Sequence, residues 1–388
     1  MNYLVLGCGL QGRVIAYDIL KFEAGSKVVI ADIDDKNLEI ARKLIESEKL
    51  DISVKKVDIF NEKSAVELMA EADVLINSLP HDWDTTEAFY QALIKTTGKK
   101  AILTDYWMWD KHYEFDKALK KANSLVIPGL GIEPGFGNIC GGQLASEFDE
   151  LEEFYIYVGG IPAEKGATTM DYMILFNVEA LLDMCLTPPV AIRDGKLVTE
   201  KPLNPAERFW IQGHGEMEAF MTDGLFSLSK TLLNKGVKRA CEYTLRYPGF
   251  CDALRVFRDA GFLSTEPVEI EGKSVRPLDV AEAVLGKLLE KKPEIPDITY
   301  LYTIGKGRKD GKYTEKAYEL MARSDESTGI TSMERATAYP ASIAAIIAAR
   351  DDGGLRGVVE PESFFIGERF YQMVSELAKR DILVYERQ

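Results

Sequence analysis

The sequence predicts an α/β protein in which a doubly wound parallel sheet carries an inserted α+β domain built on a mostly antiparallel sheet. Three observations support this fold class. An apolar strand near the start runs directly into a glycine-rich turn, strand and helix patterns alternate over residues 1–132, and hairpin signals replace that alternation after residue 136. Regular alternation is typical of parallel sheets with helical crossovers, whereas tight turns between short strands favour antiparallel pairing.

The glycine turn is the most informative motif. Residues 3–6 form a short apolar run that ends in Gly7-x-Gly9-x-x-Gly12, and an apolar helical pattern follows. Gly7 permits the tight turn, Gly9 lets the backbone approach a pyrophosphate, and Gly12 lets the helix pack on the strand. This strand–turn–helix context is typical of the Rossmann dinucleotide-binding fold. We therefore predict cofactor contacts from Gly7, Gly9, Leu10, Gln11 and Gly12.

Further cofactor contacts are expected where the other strands end. In a doubly wound sheet, ligands bind at the carboxyl ends of the strands. Acidic or polar residues end the second, third and fourth strands, and a fifth strand ends at Asp105. The predicted cofactor-binding set therefore also contains Asp32, Ile33, Asp58, Ile59, Asn77, Ser78, Leu79 and Pro80.

The acidic residue after the second strand bears on the choice of nucleotide. Asp32 lies 20 residues past Gly12. A carboxylate at this distance is expected to accept hydrogen bonds from the ribose hydroxyls and to repel a 2′-phosphate. We therefore predict NAD rather than NADP. NADP remains the alternative, because Lys36 can reach a 2′-phosphate.

Composition excludes several other classes of function. The chain has 388 residues, a hydrophobic share of 46% and a formal net charge of −15. That charge argues against nucleic-acid partners and anionic membrane surfaces, and no apolar run reaches the roughly 18 residues that a membrane span needs. Five scattered cysteines and three histidines lack metal-ligand spacing, so we expect no metal site and a cytoplasmic location.

The pattern along the chain predicts two domains. Residues 136–330 carry hairpin signals at 193–196 and 271–273 and are expected to form the inserted substrate-binding and dimerisation domain. Residues 1–135 together with 331–388 are expected to form the nucleotide-binding domain, with a last strand near residues 382–385 completing it. The cleft between the domains is the expected site.

Several blocks beyond the glycine turn resemble one known family. The chain is similar over nearly its whole length to the saccharopine dehydrogenase (saccharopine reductase) and L-lysine 6-dehydrogenase family. The blocks that carry the resemblance are GIEPG at 131–135, YIYVGGIP at 155–162, EAFMTDG at 218–224, TLRYPG at 244–249, GRKDGK at 307–312 and RATAY at 335–339.

The resemblance implies an NAD(P)-dependent dehydrogenase that acts on CH–NH or CH–NH2 groups, and a homodimer built through the inserted domain. L-lysine 6-dehydrogenases oxidise the terminal amine carbon of lysine, giving allysine and then piperideine-6-carboxylate. Saccharopine reductases reduce an imine between an aldehyde and glutamate. Phe250 stands where lysine dehydrogenase relatives have histidine and saccharopine reductases have phenylalanine, so both substrates stay open.

The resemblance also nominates the reacting residues. Arg246 corresponds to the arginine that holds the substrate carboxylate, a role that suits the paired donors of a guanidinium. Glu133 and Tyr106 are the predicted catalytic residues: Glu133 contacts the substrate amine and can take a proton, and Tyr106 lies at the substrate. The predicted substrate-binding set is completed by Gly159, through its backbone, and by Tyr247.

Three functions follow from these observations. The first is an NAD-dependent oxidoreductase that acts on an amino-acid C–N bond, most like L-lysine 6-dehydrogenase. The close alternative is saccharopine reductase (saccharopine dehydrogenase, L-glutamate-forming). An alternative of another class is a non-catalytic NAD-sensing dimer, against which the presence of Arg246 argues, because a sensor needs no anchor for a substrate carboxylate.

Overall fold

The computed structural model describes residues 1–104, 109–204 and 206–388. The chain divides into two compact units, each built from separate stretches of sequence. The first unit comprises Met1–Glu147, Phe226–Thr231 and Glu334–Val384, and the second comprises Phe148–Leu225, Leu232–Met333 and Tyr385–Gln388. The stretch from residue 136 to residue 147, which the sequence analysis placed in the inserted domain, belongs to the first unit.

The strands of the described residues are numbered in chain order. They are β1 (Asn2–Leu6), β2 (Lys27–Asp32), β3 (Ser53–Lys56), β4 (Val74–Asn77), β5 (Lys100–Leu103), β6 (Leu125–Ile127), β7 (Glu150–Pro162), β8 (Val190–Arg193), β9 (Lys196–Thr199), β10 (Glu207–Ile211), β11 (Gly215–Thr222), β12 (Arg239–Arg246), β13 (Val268–Ile270), β14 (Lys273–Val275), β15 (Asp297–Lys309), β16 (Lys312–Arg323), β17 (Gly357–Val358) and β18 (Leu383–Arg387).

The α-helices of the same residues are numbered in the same way. They are α1 (Leu10–Phe22), α2 (Asp35–Ser47), α3 (Glu62–Ala70), α4 (Trp83–Leu93), α5 (Trp109–His112), α6 (Asp116–Lys121), α7 (Gly137–Glu147), α8 (Val178–Leu186), α9 (Phe226–Asn234), α10 (Phe250–Asp259), α11 (Pro277–Leu288), α12 (Ser332–Arg350), α13 (Pro361–Phe364) and α14 (Glu368–Ala378).

The first unit is built on a parallel sheet with the strand order β17-β6-β5-β4-β1-β2-β3. Every pair along this order is parallel. The order reverses between β1 and β4, as it does in a Rossmann sheet. The predicted doubly wound parallel sheet is therefore confirmed, and the two-residue β17 adds a seventh strand that is too short to leave a pattern in the sequence.

Continuous apolar runs explain why the central strands are buried. Tyr3–Leu6 in β1 and Val74–Ile76 in β4 are at most 2% exposed, as expected for strands covered on both faces. One buried ion pair also joins distant parts of this unit. The Arg380 guanidinium donates to the Asp18 carboxylate at 2.7 Å, and both side chains are fully buried.

The second unit is built on a mixed sheet with the strand order β10-β11-β12-β7-β15-β16-β18, and β8 and β9 extend it beside β12. The β12–β7 pair is parallel, whereas the β10–β11, β11–β12, β7–β15, β15–β16, β12–β8 and β8–β9 pairs are antiparallel. The mostly antiparallel sheet is therefore confirmed. The expectation that the last strand completes the first domain was wrong, because β18 lies beside β16 in this sheet.

The two faces of the second sheet differ in character. One face carries a cluster of strand and loop residues rich in tyrosine, among them Tyr157, Tyr243 and Tyr300. The other face packs against α8, α10 and α11, with Phe220 and Phe250 in that core. Because successive side chains of a strand point to opposite faces, β12 contributes to both.

No helix within residues 1–104, 109–204 and 206–388 is long and apolar enough to cross a membrane. Among the same residues, no group of three or more histidine, cysteine or acidic side chains is arranged to hold a metal ion.

Candidate active site

Two glycines of the turn are required by close backbone contacts in the first unit. Gly7 has a φ of 95° and donates its N–H to the Ala31 carbonyl at 2.8 Å. A Cβ at Gly7 would lie 2.2 Å from the Ser78 carbonyl oxygen, and a Cβ at Gly12 would lie 1.9 Å from the Gly7 carbonyl oxygen. A side chain fits at neither position. The two glycines therefore allow the ends of β1 and β4 and the start of α1 to lie close together.

Gly9 is different, because a Cβ there would meet no atom of residues 1–104, 109–204 and 206–388 within 4 Å. Gly9 is the N-cap of α1, and its helix has no side-chain cap. The N–H groups of the first helical turn need an acceptor, and the helix dipole favours a negative charge at this end. The open space beside Gly9 and the uncapped N-terminus therefore fit the pyrophosphate of a dinucleotide.

Asp32 has a structural role that the sequence did not show. Its carboxylate is 8% exposed and accepts two backbone hydrogen bonds, from the Cys8 N–H at 2.6 Å and from the Asp34 N–H at 2.8 Å. Asp32 thereby ties the glycine turn to the end of β2. Burial, with the nearby Asp32 charge, raises the pKa of the Cys8 thiol to about 12, so this thiol stays protonated and unreactive at neutral pH.

The residues predicted to bind the cofactor after the second and third strands differ in their exposure to solvent. Asp58 is exposed and accepts the Phe60 N–H at 2.9 Å, which shapes the turn before α3. Ile59 packs in the core of the first unit at 8% exposure. Ile33, directly after β2, is 60% exposed. Among these, Asp58 and Ile33 are therefore placed to meet a ligand at the strand ends.

The residues predicted after the fourth strand form a turn that faces the glycine turn. Asn77 is 2% exposed, and its side-chain oxygen accepts the Leu79 N–H at 3.1 Å. Ser78 donates its N–H to the Leu6 carbonyl at 2.8 Å. Leu79 is half-buried, and Pro80 follows as an exposed residue. Because β4 pairs with β1, this turn lies at the same edge of the sheet as Gly7.

Glu133 lies in the turn that follows β6, in the first unit. The Phe136 N–H donates to the Gly131 carbonyl at 2.9 Å, and the Gly135 N–H donates to the Asn138 side chain at 2.7 Å. These bonds hold the turn, and the Glu133 side chain is half-buried in it. The other predicted catalytic residue, Tyr106, lies outside the described residues.

Arg246 ends β12 in the second unit and is 3% exposed. Its Nη1 donates to the Leu245 carbonyl at 2.7 Å, and its buried Nε has no hydrogen-bond partner in the part of the chain that the structure describes. The guanidinium carbon lies 4.7 Å from the Tyr172 ring and 5.5 Å from the Phe250 ring. Within the described ranges no carboxylate forms an ion pair with Arg246, so this cation has donors left for a carboxylate ligand.

The other two residues predicted to bind substrate have packing roles. A Cβ at Gly159 would lie 2.4 Å from the Leu245 carbonyl oxygen, so this glycine lets β7 approach β12. The Tyr247 hydroxyl donates to the Pro162 carbonyl at 3.2 Å, and its ring packs in the tyrosine-rich cluster. Tyr247 follows Arg246 directly, and adjacent side chains point to opposite faces. The structure therefore does not bring Tyr247 beside Arg246.

The sequence analysis missed two buried polar residues near Arg246. Tyr172 is 1% exposed, and its ring lies against the Arg246 guanidinium. Glu242 is 5% exposed and precedes Arg246 by four residues on the same strand. The signal that could have revealed Glu242 is the alternation of the polar Glu242, Thr244 and Arg246 with Tyr243 and Leu245, because alternate residues of a strand share a face.

The fold and the glycine turn place the first unit in the class of Rossmann proteins that bind pyridine nucleotides. Comparison with family models gives the family. Residues 3–127 match the saccharopine dehydrogenase NADP binding domain, and residues 131–383 match the saccharopine dehydrogenase C-terminal domain. The chain belongs to the saccharopine dehydrogenase family of oxidoreductases, as its sequence blocks predicted.

Individual relatives are distant. The chain is 24% identical to saccharopine dehydrogenase [NADP(+), L-glutamate-forming] of Pyricularia oryzae, over 68% of this chain and 58% of that protein. It is 25% identical to carboxynorspermidine synthase of Vibrio cholerae, over 90% of this chain and 88% of that protein. The match spans less than two thirds of the fungal saccharopine dehydrogenases: 58%, 66% and 47% of their lengths.

Among solved structures, the chain resembles apo histidine-tagged saccharopine dehydrogenase (L-Glu forming) from Saccharomyces cerevisiae. The TM-score is 0.82 at 19% identity, and the match covers 100% of this chain and 99% of that one. At this identity the similarity shows the shared fold.

The environment of Gly9 leads to a prediction about nucleotide binding. Because a Cβ at Gly9 would meet no atom of the described residues within 4 Å, Gly9→Ala is expected to keep the thermal unfolding midpoint. The same methyl group enters the space expected for the pyrophosphate, so NADH affinity should fall by about tenfold or more, or about 1.4 kcal/mol. Fluorescence titration with NADH measures the affinity.

The control is Gly286→Ala, on α11 in the second unit, where a Cβ makes only ordinary contacts of 3.7 Å and longer. This variant should bind NADH with unchanged affinity. Unweakened NADH binding by Gly9→Ala would exclude the phosphate site assigned to this turn.

Proposed function

We propose that the protein is a pyridine-nucleotide-dependent oxidoreductase that acts on a C–N bond of an amino-acid substrate. The observation that carries this proposal is the buried Arg246 guanidinium, which stacks on Tyr172 and whose Nε has no hydrogen-bond partner within the described residues. A buried cation without a counter-ion is costly unless a ligand supplies the anion. Family membership supports the redox chemistry, and two relatives are named for carboxyl-bearing amines.

In this proposal each residue has a defined task. Arg246 binds the substrate carboxylate and so fixes the orientation of the substrate. The reacting amine is neutral at the moment of reaction, and Glu133 contacts it and accepts the proton that leaves nitrogen as the imine forms. Tyr106 is the second proposed group at the amine. The bound nucleotide supplies the acceptor for the hydride that leaves the amine carbon.

The first candidate substrate is L-lysine, oxidised at its terminal amine carbon as in L-lysine 6-dehydrogenases. The blocks at 307–312 and 335–339, which resemble the lysine dehydrogenase branch, support this candidate. Saccharopine is the alternative, supported by the phenylalanine at position 250, whose ring faces Arg246, and by the names of the fungal relatives.

For the nucleotide we propose NAD. Three carboxylates, Asp32, Asp34 and Asp35, lie at the end of β2, where the adenosine ribose binds in Rossmann proteins. Two lysines lie nearby: Lys56 pairs with Asp35 at 2.5 Å, and Lys36 follows Asp35 directly, so the carboxylates outnumber the cations by one. This excess of negative charge disfavours a 2′-phosphate. NADP is the alternative, because the fungal relatives are named for NADP.

A charge introduced beside Asp32 tests this choice. Wild-type protein should bind NADH more tightly than NADPH. Ile33→Arg places a guanidinium on an exposed residue, leaves the Asp32 hydrogen bonds in place, and should tighten NADPH binding by about tenfold, or about 1.4 kcal/mol. Ile40→Arg, an exposed site on α2, is the control and should change neither affinity. Tighter NADPH than NADH binding by the wild-type protein would overturn the proposal.

Removing the proposed carboxylate anchor tests the activity. Reduction of NAD is followed by absorbance with lysine, ornithine, saccharopine and polyamines. Arg246→Met should lower kcat/KM for the active amine about 10- to 100-fold, mainly through KM, as expected for loss of a hydrogen bond to a charged group worth about 1.5–3 kcal/mol. NADH affinity should stay unchanged.

Arg239→Met, on the same strand but largely exposed, is the matched control and should retain activity. Turnover of lysine alone supports a lysine dehydrogenase, and turnover of saccharopine alone supports a saccharopine dehydrogenase. If NAD binds but no amine on the panel is oxidised, the non-catalytic sensor replaces the enzyme.

We also propose that the protein is a homodimer that associates through the tyrosine-rich face of the second sheet. Tyr157 stacks on Tyr243 and on Phe209 with ring centroids 5.0 and 4.6 Å apart, and Tyr302 lies beside them. Within the described ranges this cluster contains no helix residue, and Tyr157, Phe209 and Tyr302 remain half-buried. An aromatic sheet face of this kind is typical of protein interfaces.

Sedimentation analysis tests the homodimer. Wild-type protein should sediment as a dimer, and Phe209→Glu should shift it to monomer, because a carboxylate in an apolar interface is desolvated without a partner. Trp210→Ser changes the next residue of β10, which is 69% exposed, and should leave the dimer intact. A monomeric wild-type protein would contradict the proposal.

A further inference from the structure

The first turn of α1 carries a cation close to the expected phosphate site. Arg13 directly follows the glycine turn, and its N–H donates to the Gly9 carbonyl at 3.4 Å, which places it one helical turn beyond Gly9. The helix dipole puts partial positive charge at this end, and no acidic residue lies in the first turn. An arginine at this position is electrostatically unfavourable unless anions from outside the helix compensate it.

One such anion comes from α12. The Arg13 Nη2 donates to the Glu334 Oε1 at 2.8 Å, and the two side chains are 21% and 4% exposed. Both residues belong to the first unit. A guanidinium has five N–H donors, and within the described ranges the structure gives Arg13 no hydrogen-bond partner for Nε or Nη1. Glu334 therefore fixes the guanidinium and leaves donors for a second anion.

The Arg13 side chain is directed toward the space beside Gly9. Side chains of an α-helix tilt toward its N-terminus, so each covers the residue about four positions earlier. For Arg13 this residue is Gly9, where a Cβ would meet no atom of residues 1–104, 109–204 and 206–388 within 4 Å. One turn rises only about 5.4 Å, which an arginine side chain spans. Arg13 therefore lies beside the space expected for the pyrophosphate.

A second side chain of the same turn also has a polar atom left for a ligand. The Gln11 Oε1 is buried and accepts no hydrogen bond in the part of the chain that the structure describes. A buried acceptor without a donor costs free energy. A nucleotide supplies hydroxyl donors as well as phosphate oxygens, so a bound nucleotide satisfies both Gln11 and Arg13.

We propose that Arg13 binds the pyrophosphate of the nucleotide and that Glu334 is the positioning residue that holds its guanidinium for this contact. A guanidinium donates two parallel hydrogen bonds to a phosphate group, and this pair is stronger than neutral hydrogen bonds. The helix terminus offers backbone N–H groups to the same anion. The glycine spacing does not reveal either residue, because it leaves position 13 open and Glu334 lies 321 residues further along the chain.

The proposed contact does not depend on the choice of nucleotide or of amine. NADH and NADPH share the pyrophosphate, so Arg13 should strengthen the binding of both by the same factor. The ratio of the two affinities belongs to the end of β2, around Asp32 and Ile33. The competing explanation is that the Arg13–Glu334 ion pair only joins α1 to α12, in which case its loss lowers stability without weakening phosphate binding.

The test uses two variants that differ only at residue 13, Glu334→Gln and the double variant Arg13→Met/Glu334→Gln. Arg13→Met alone would leave a buried carboxylate without its cation, which is strongly destabilising. Fluorescence titration should show NADH and NADPH bound about tenfold or more weakly by the double variant than by Glu334→Gln, as expected for loss of hydrogen bonds to a charged group. Arg42→Met is the matched control and should change neither affinity, because the Arg42 side chain is 44% exposed and pairs with Glu39 within α2.

Further readouts separate phosphate binding from a structural role. Salt screens the attraction between a guanidinium and a phosphate, so NADH affinity should fall more steeply with ionic strength in Glu334→Gln than in the double variant. A residue that only joins two helices would shift the thermal midpoint and leave this salt dependence unchanged. Glu334→Ala removes the acceptor that Glu334→Gln retains, and should bind NADH about threefold or more weakly than Glu334→Gln.

Arg13→Lys serves if Glu334→Gln fails to fold. It keeps a cation for Glu334 but loses the paired donors, and should bind NADH about threefold or more weakly than the wild-type protein.

The outcomes separate this inference from the proposed activity. Equal NADH affinities of Glu334→Gln and the double variant, equal dependence on salt, or failure of the wild-type protein to bind either nucleotide would each overturn the role of Arg13. Equal affinities of Glu334→Ala and Glu334→Gln would overturn the positioning role of Glu334. The expected loss in the double variant, with no oxidation of any amine, would support phosphate binding by Arg13 while removing the dehydrogenase activity.

Discussion

The carboxylate of Asp32 is the interaction on which the nucleotide-binding unit depends. By accepting the N–H groups of Cys8 and Asp34, it joins the glycine turn to the end of β2. The same turn is pressed against β4, where the backbone leaves no room for a Cβ at Gly7. Three strand ends and one helix start therefore converge within hydrogen-bonding distance. This convergence leaves the first-turn N–H groups of α1 open to a phosphate.

Local sequence patterns predicted most of the first unit. The features that they missed depend on contacts between residues that are far apart in the sequence. The strand–turn–helix signal identified the sheet and its ligand edge because each part of it is encoded within a few residues. The hydrogen bond from Cys8 to Asp32 spans 24 residues and leaves no local trace. The last strand shows the same limit: residues 383–387 have the pattern of a strand, but that pattern does not say which sheet the strand joins.

In the second unit, resemblance to a family nominated Arg246, and strand geometry decides what surrounds it. Tyr247 belongs to the same TLRYPG block in the sequence, yet alternation turns its side chain into the tyrosine-rich cluster. Glu242 lies two positions outside that block and shares the face of Arg246. A pattern of polar residues at every second position was visible in the sequence. Interpreting this pattern required knowing that both faces of β12 are covered.

The discontinuous first unit has a consequence for biosynthesis. Strand β17 and the buried Arg380 are translated more than two hundred residues after the β6 edge and Asp18 with which they pair. While the ribosome makes the second unit, the nascent parallel sheet has an unpaired edge and a carboxylate without its guanidinium. Open edges favour pairing with other chains. Protection of the open β6 edge by chaperones should therefore matter most while the second unit is being translated.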